Sequence, residues 1–151
     1  IHVQRVAALR AAWNDDEVAF AGRWDRIDRS WIHPKPQHRR VPVALGNAGP
    51  LGMRHAAEYA DQWCPISSEL RGADGRIDVP GSVERFHALV AEHGRDPADI
   101  PITLFVLGRP PARFFDRIEP LGIERVVLGG GTELDNANTT LRLLDALSEL
   151  I

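Results

Sequence analysis

A single cysteine, Cys64, stands among the 151 residues, so no internal disulfide can form. A reducing, cytoplasmic setting is the expectation that follows. Free cysteine is usually a small buried apolar group, and Cys64 is read that way. Long hydrophobic runs are also missing. None approaches the roughly 18 residues of a membrane span, and the runs present are short and close on glycine, as in Val126-Val127-Leu128-Gly129. Positive charge is not in excess: 18 Lys and Arg face 21 Asp and Glu, for a net charge of −3. Nucleic acid is therefore not an expected partner, and neither is a membrane. Lys35 is the only lysine, an arginine bias of the kind a GC-rich genome produces. The chain shows no P-loop, no serine-nucleophile motif and no paired-cysteine metal site. It also lacks an initiator Met. Ile1 is expected to mark a trimmed or cleaved start, and Ile1–Arg10 has no apolar core of a signal peptide.

What is present is an ordinary globular composition, 44% hydrophobic and 26% charged. The length suits one domain, 1–151, with a real core. Its first 40 residues read as a helix, a small hairpin and a proline linker. Val3, Val6, Leu9 and Trp13 recur at helical spacing over Ile1–Trp13. Glu17–Phe20 and Arg23–Ile27 flank a turn at Ala21-Gly22. His33-Pro34-Lys35-Pro36 excludes regular helix and central strand, because each proline removes a donor and restricts its neighbour.

From residue 41 the pattern repeats. Short apolar runs near 41–46, 62–66, 101–107 and 123–128 predict four strands. Helical spacing predicts helices over Pro50–Ala60, from a Ser82 cap to Gly94, over Pro111–Leu121, and over Asn138–Ile151. The last is apolar over most of its circumference, so packing on more than one neighbour is expected. Strands that are near-continuously apolar, each followed by a helix, imply a parallel sheet covered by helices. Two architectures satisfy right-handed crossovers. One is a small doubly wound sheet; the other is half of a (β/α)8 barrel, which in full takes about 250 residues.

The segment Trp31–Ile66 reads WIHPKPQHRRVPVALGNAGPLGMRHAAEYADQWCPI. It resembles the second half of the luciferase-like monooxygenase superfamily, especially the branch that uses the deazaflavin coenzyme F-420. Phe20-Ala21-Gly22-Arg23-Trp24 resembles that family's hairpin, and Gly94-Arg95-Asp96-Pro97 its later helix-to-strand connection. The resemblance implies an α/β fold, the C-terminal half of a (β/α)8 barrel holding strands five to eight in chain order. It also implies that most substrate-facing and catalytic side chains belong to the other half, so no catalytic residue is assigned.

Five stretches are candidate sites. Gly46-Asn47-Ala48-Gly49-Pro50 joins a strand to a helix. Amide groups at a helix start point outward with partial positive charge, so a phosphate can settle there. The resemblance places a cofactor phosphate at this turn, although relatives commonly carry two glycines where Gly46-Asn47 stands. By the same resemblance Pro65 and Ile66, with Ser67, lie beside the cofactor. Gly129-Gly130-Gly131-Thr132 fits a barrel phosphate site, but a plain turn before the last helix is the commoner meaning of such a glycine run. Arg109 follows the third strand and could meet an anion at the same end. Trp24, Trp31 and Trp63 could line a pocket for a flat ring, though core packing is commoner for tryptophan. His33, His38 and the run Asp15-Asp16-Glu17 lack paired metal-ligand spacing, and no metal is expected.

The function implied is hydride transfer with F-420, or alternatively FMN, on a small-molecule substrate, this chain contributing the phosphate turn. A second reading is a non-catalytic half-barrel that acts by homodimerisation. Four parallel strands of a barrel leave open edges and an uncovered face. Interior-facing side chains are expected among Val43, Leu45, Trp63, Pro65, Phe105, Leu107, Val126 and Leu128. The expected partner is a second copy or a missing N-terminal half.

Overall fold

The computed structural model describes residues 2–111, 113–129 and 137–148. It divides into two compact units, Ile1–Pro42 and Val43–Ile151.

In the first unit, α1 (His2–Asn14) precedes the antiparallel hairpin β1 (Val18–Ala21) and β2 (Arg26–Ser30). The predicted apolar stripe is not the face that packs. The buried residues of α1 are Ala8 and Ala12, while Val3 and Leu9 are exposed. Gln4, on the same stripe as the two alanines, accepts the Arg23 N–H at 3.1 Å in the hairpin turn. Small side chains let the hairpin approach, and Val18 is fully buried at the contact. Lys35 Nζ donates to Ala12 O at 2.7 Å and fastens the linker to the helix end.

In the second unit, β3 (Ala44–Leu45) leads through the Gly46–Gly49 turn into α2 (Pro50–Tyr59), then β4 (Gln62–Trp63). A loop with a short 3-10 turn leads to α3 (Val79–Glu92), β5 (Thr103–Leu107), α4 (Phe114–Ile118), β6 (Arg125–Gly129) and α5 (Ala137–Ser148). β3 pairs with β4 and β5 with β6, both parallel. Parallel bridges Trp63–Ile102 and Ile66–Phe105 join the two pairs. The four strands are thus adjacent in chain order without reversal, as a barrel segment requires and a doubly wound sheet does not. No closed barrel forms among the described residues.

The ladders are shorter than the apolar runs, and prolines explain it. Pro42, Pro65 and Pro101 flank the strands and cannot donate to a ladder. Val43 N–H is taken instead by Asp61 Oδ2 at 2.9 Å. α3 also starts earlier than predicted. Asp78, not Ser82, caps it, accepting from Gly81 N–H at 3.0 Å, and Ser82 is buried inside the helix.

Side chains alternate across the sheet. Trp63, Ile102, Leu104 and Val106 are buried against α2 and α3, with Met53, Ala56, Phe86 and Val90 opposite them. By register, Leu45, Pro65, Val126 and Leu128 share that face, so of the expected interior residues placed by the ladders and bridges, Phe105 and Leu107 lie on the other. On α5, Leu141 and Leu144 are exposed, so these two positions do not carry the expected packing.

Candidate functional site at the strand ends

The turn after β3 is shaped by two close approaches. A Cβ at Gly46 would lie 3.2 Å from Cys64 O, so a side chain there would press on the next strand. A Cβ at Gly52 would lie 2.2 Å from Asn47 Cβ, so glycine in the first turn of α2 lets Asn47 fold down upon it. Asn47 does not use the left-handed conformation that asparagine tolerates. Its carbonyl accepts from Trp63 Nε1 at 3.1 Å. The tryptophan that the sequence offered as a ring-pocket wall therefore lies in the core. It stacks on Phe86 with ring centroids 4.2 Å apart and holds the turn through its indole N–H. Trp24 and Trp31 are exposed in the first unit, with the Arg23 guanidinium 4.8 Å from the Trp24 ring centroid.

Gly49 is the N-cap of α2, and no side chain caps this end. The first helical bond runs from Met53 N–H to Gly49 O at 2.8 Å, and open space surrounds the place where a Gly49 side chain would stand. The amide end of α2 thus faces outward at the carboxyl end of the strands, with the polarity that favours an anion. Ala48, Gly49 and Pro50 form one wall of a groove of about 590 Å³ between α2 and α3. Arg54, Arg71 and Arg85 line it, against Glu69 and Glu92. Arg85 is fixed by donating to Arg71 O and Ser82 Oγ, each at 2.8 Å. Arg54 makes no hydrogen bond or ion pair among the described residues. The arginines were not legible as a group in the sequence, because they come from three separated segments.

Pro65 and Ile66 part company. Pro65 is fully buried on the helix side, where its carbonyl accepts Phe105 N–H at 2.9 Å. Ile66 is half-buried on the opposite face. Cys64 shares that face, and its thiol is pushed up by burial, with the Arg125 charge pulling the other way. Arg109 is exposed beyond β5 and lines a second cavity. Gly129 ends β6; Gly130, Gly131 and Thr132 lie outside the described residues.

The acidic run is paired rather than gathered. Asp16 meets Arg39 Nη1 at 2.7 Å, and Glu17 meets Arg29. The Arg39 hydrogen bond, then its charge, holds the Asp16 carboxyl below the ordinary carboxylate value. Among the described residues no three His, Cys, Asp or Glu side chains gather as a metal site.

Parallel strands in barrel order, each followed by a helix, with a glycine turn at the carboxyl end of the first, define an α/β chain of the barrel type. The family model for luciferase-like monooxygenases matches residues 5–107, and the chain belongs to that family. An uncharacterised protein of Mycobacterium tuberculosis (strain H37Rv) is 28% identical over 123 residues, and one of Mycobacterium bovis matches equally. An F-420-dependent secondary alcohol dehydrogenase, solved with an F-420–acetone adduct, superposes on 100% of this chain with a TM-score of 0.67 at 15% identity. The chain spans 40% of the length of each mycobacterial relative and 59% of the dehydrogenase chain.

Proposed function

We propose that the chain supplies the cofactor-phosphate side of an oxidoreductase that uses F-420, with FMN as the alternative. The observation that carries the reading is the uncapped, outward-facing start of α2 behind the Gly46–Gly49 turn, at the carboxyl end of the parallel strands. The residues present fit such a group. The space beside Gly49 is open, the helix end offers amide donors, and the Arg54 guanidinium has no partner among the described residues. Gly46, Asn47, Ala48 and Gly49 would hold the phosphate, and Arg54 would add charge. Ile66 would contribute to the wall beside the ring, while Pro65 shapes that wall through the backbone it fixes. Either cofactor, when bound, supplies hydride transfer. The protein's part is to fix the tail and exclude water, and none of the described residues is assigned as a general acid or base.

The family membership and the fold of the dehydrogenase support this reading. Its test is a fluorescence titration of protein expressed from the complete reading frame, with F-420 and FMN in parallel. Saturable F-420 binding, weakened about tenfold by Arg54→Ala, is expected for loss of one charge-assisted contact. Binding of neither cofactor overturns the proposal.

A further inference from the structure

Over the carboxyl end of β5, between the start of α3 and α4, lies a second cavity of about 340 Å³. Its wall is unusual in two respects. It is largely apolar, and two of its members, Ile77 and Leu107, are 56% and 53% exposed, large hydrophobic side chains facing space that none of the described residues fills. Phe114 and Val79 continue the same surface. Its charge is also of one sign. Arg109 and Arg117 line it, and no carboxylate does so among the described residues. Neither guanidinium makes a hydrogen bond or ion pair among those residues. Ser67 adds a hydroxyl that is only 9% exposed as a residue and that has no side-chain partner among them.

Two exposed guanidiniums that make no bond to the described residues stand beside an apolar concavity, where water is their partner and an anion can replace it. Charge-assisted bonds to an anion are stronger than those to water, and neighbouring apolar surface strengthens them by lowering the local dielectric. The apolar wall gains from any group that displaces water. One molecule satisfies both only if it carries an anionic head and an apolar body, and the volume lies at the small end of ligand sites. We infer that this cavity binds a small apolar acid, its carboxylate between Arg109 and Arg117 and its hydrocarbon part against Ile77, Leu107 and Phe114. The cavity lies at the same end of the strands as the Gly46–Gly49 turn. That this acid is the substrate rests on the proposed function; that it binds does not.

The test is calorimetric titration, at low salt and without cofactor, of the complete protein with sodium octanoate below its micellar range. Octanol supplies the tail without the charge, and inorganic phosphate the charge without the tail. Octanoate is expected to bind at least tenfold more tightly than either. Arg109→Ala with Arg117→Ala should weaken it at least tenfold at an unchanged melting temperature, since both side chains are exposed and unpartnered. Leu107→Ala should weaken octanoate and leave phosphate unaffected. Octanol binding as well as octanoate, phosphate binding as well as octanoate, or undiminished binding in the double arginine variant each overturns the inference. Octanoate bound by a protein that takes up neither F-420 nor FMN would retain this site and overturn only the cofactor reading.

Discussion

Trp63 joins the core to the phosphate turn through a single hydrogen bond. Its ring stacks on Phe86, and its Nε1 donates to Asn47 O at 3.1 Å. Trp63→Phe keeps an aromatic ring in the core but removes the donor. Asn47 is exposed, so water can take over its carbonyl, and the loss of stability from that bond should be modest, about 1 kcal/mol, with a further cost for the smaller ring. If the turn seats the cofactor, affinity for F-420 should fall by more than stability does. A denaturant melt and a titration on the same variant separate the two; a destabilised variant with unchanged affinity removes the turn from the site.

Cys64 gives a second test at this scale. Burial raises its thiol, and Arg125 partly offsets that. Arg125 favours the thiolate, so Arg125→Ala should raise the thiol further. Cys64 should then react more slowly with a disulfide reagent at pH 8 and need higher pH to reach the same rate. An unchanged or faster rate contradicts this electrostatic pairing.

At the scale of elements, α2 depends on capping at its carboxyl end. Arg95 donates from Nη1 to Ala57 O at 2.9 Å and from Nη2 to Ala60 O at 2.7 Å. Those carbonyls have no helical partners of their own, and a forked guanidinium reaches both. Arg95→Ala should cost about 1–3 kcal/mol in a urea melt, and Arg95→Lys should recover only part of it, because an ammonium is a point donor. Full rescue by lysine would show that charge alone matters. The cap of α3 offers a parallel case: Asp78→Ala should cost about 0.5–2 kcal/mol, while Ser82→Ala should not act through capping at all.

These two caps mark how far the sequence could be read. The strand and helix positions of the second unit follow from hydrophobic runs punctuated by glycine and proline, and the parallel order follows from their alternation. The start of α3 was also written in the chain, as Asp78 followed closely by Pro80, the arrangement of an N-cap with proline in the first turn. Ser82 competed as a cap because its type fits, whereas its place inside the helix depends on that earlier start. The buried face of α1 was not legible, since Ala8 and Ala12 carry little hydrophobic signal and pack through smallness. Arg95 looked like part of a connection. Its role needs two carbonyls nearly forty residues earlier in the chain, which periodicity cannot bring near. The arginine-lined groove and the Arg109–Arg117 cavity were hidden for the same reason: their members meet only after folding.

For the whole molecule, the two faces of the four-stranded sheet differ in burial. On the helix side Trp63, Ile102, Leu104 and Val106 are buried. On the other side Ala44, Leu107 and Arg125 are exposed, and Ile66, Phe105 and Val127 are half-buried. The outer edges of β3 and β6 have no strand partner among the described residues. Leu141 and Leu144 of α5 are exposed as well. Each large apolar side chain left in water forgoes about 1.5–3 kcal/mol of burial, so a few of them weigh against a domain stability of about 5–15 kcal/mol. Unpaired edges and an open apolar face are what a second chain can cover. We therefore expect the 151-residue chain on its own to associate, through an interface that is mostly apolar and on the order of 2,000 Å² or more. Sedimentation at micromolar concentration should give a mass above 16.7 kDa, and Val127→Arg, which places charge on the open face, should reduce it. A 16.7 kDa monomer with a cooperative melt would show that the sheet needs no such cover. A particle larger than a monomer that is unaffected by Val127→Arg would move the interface to another surface.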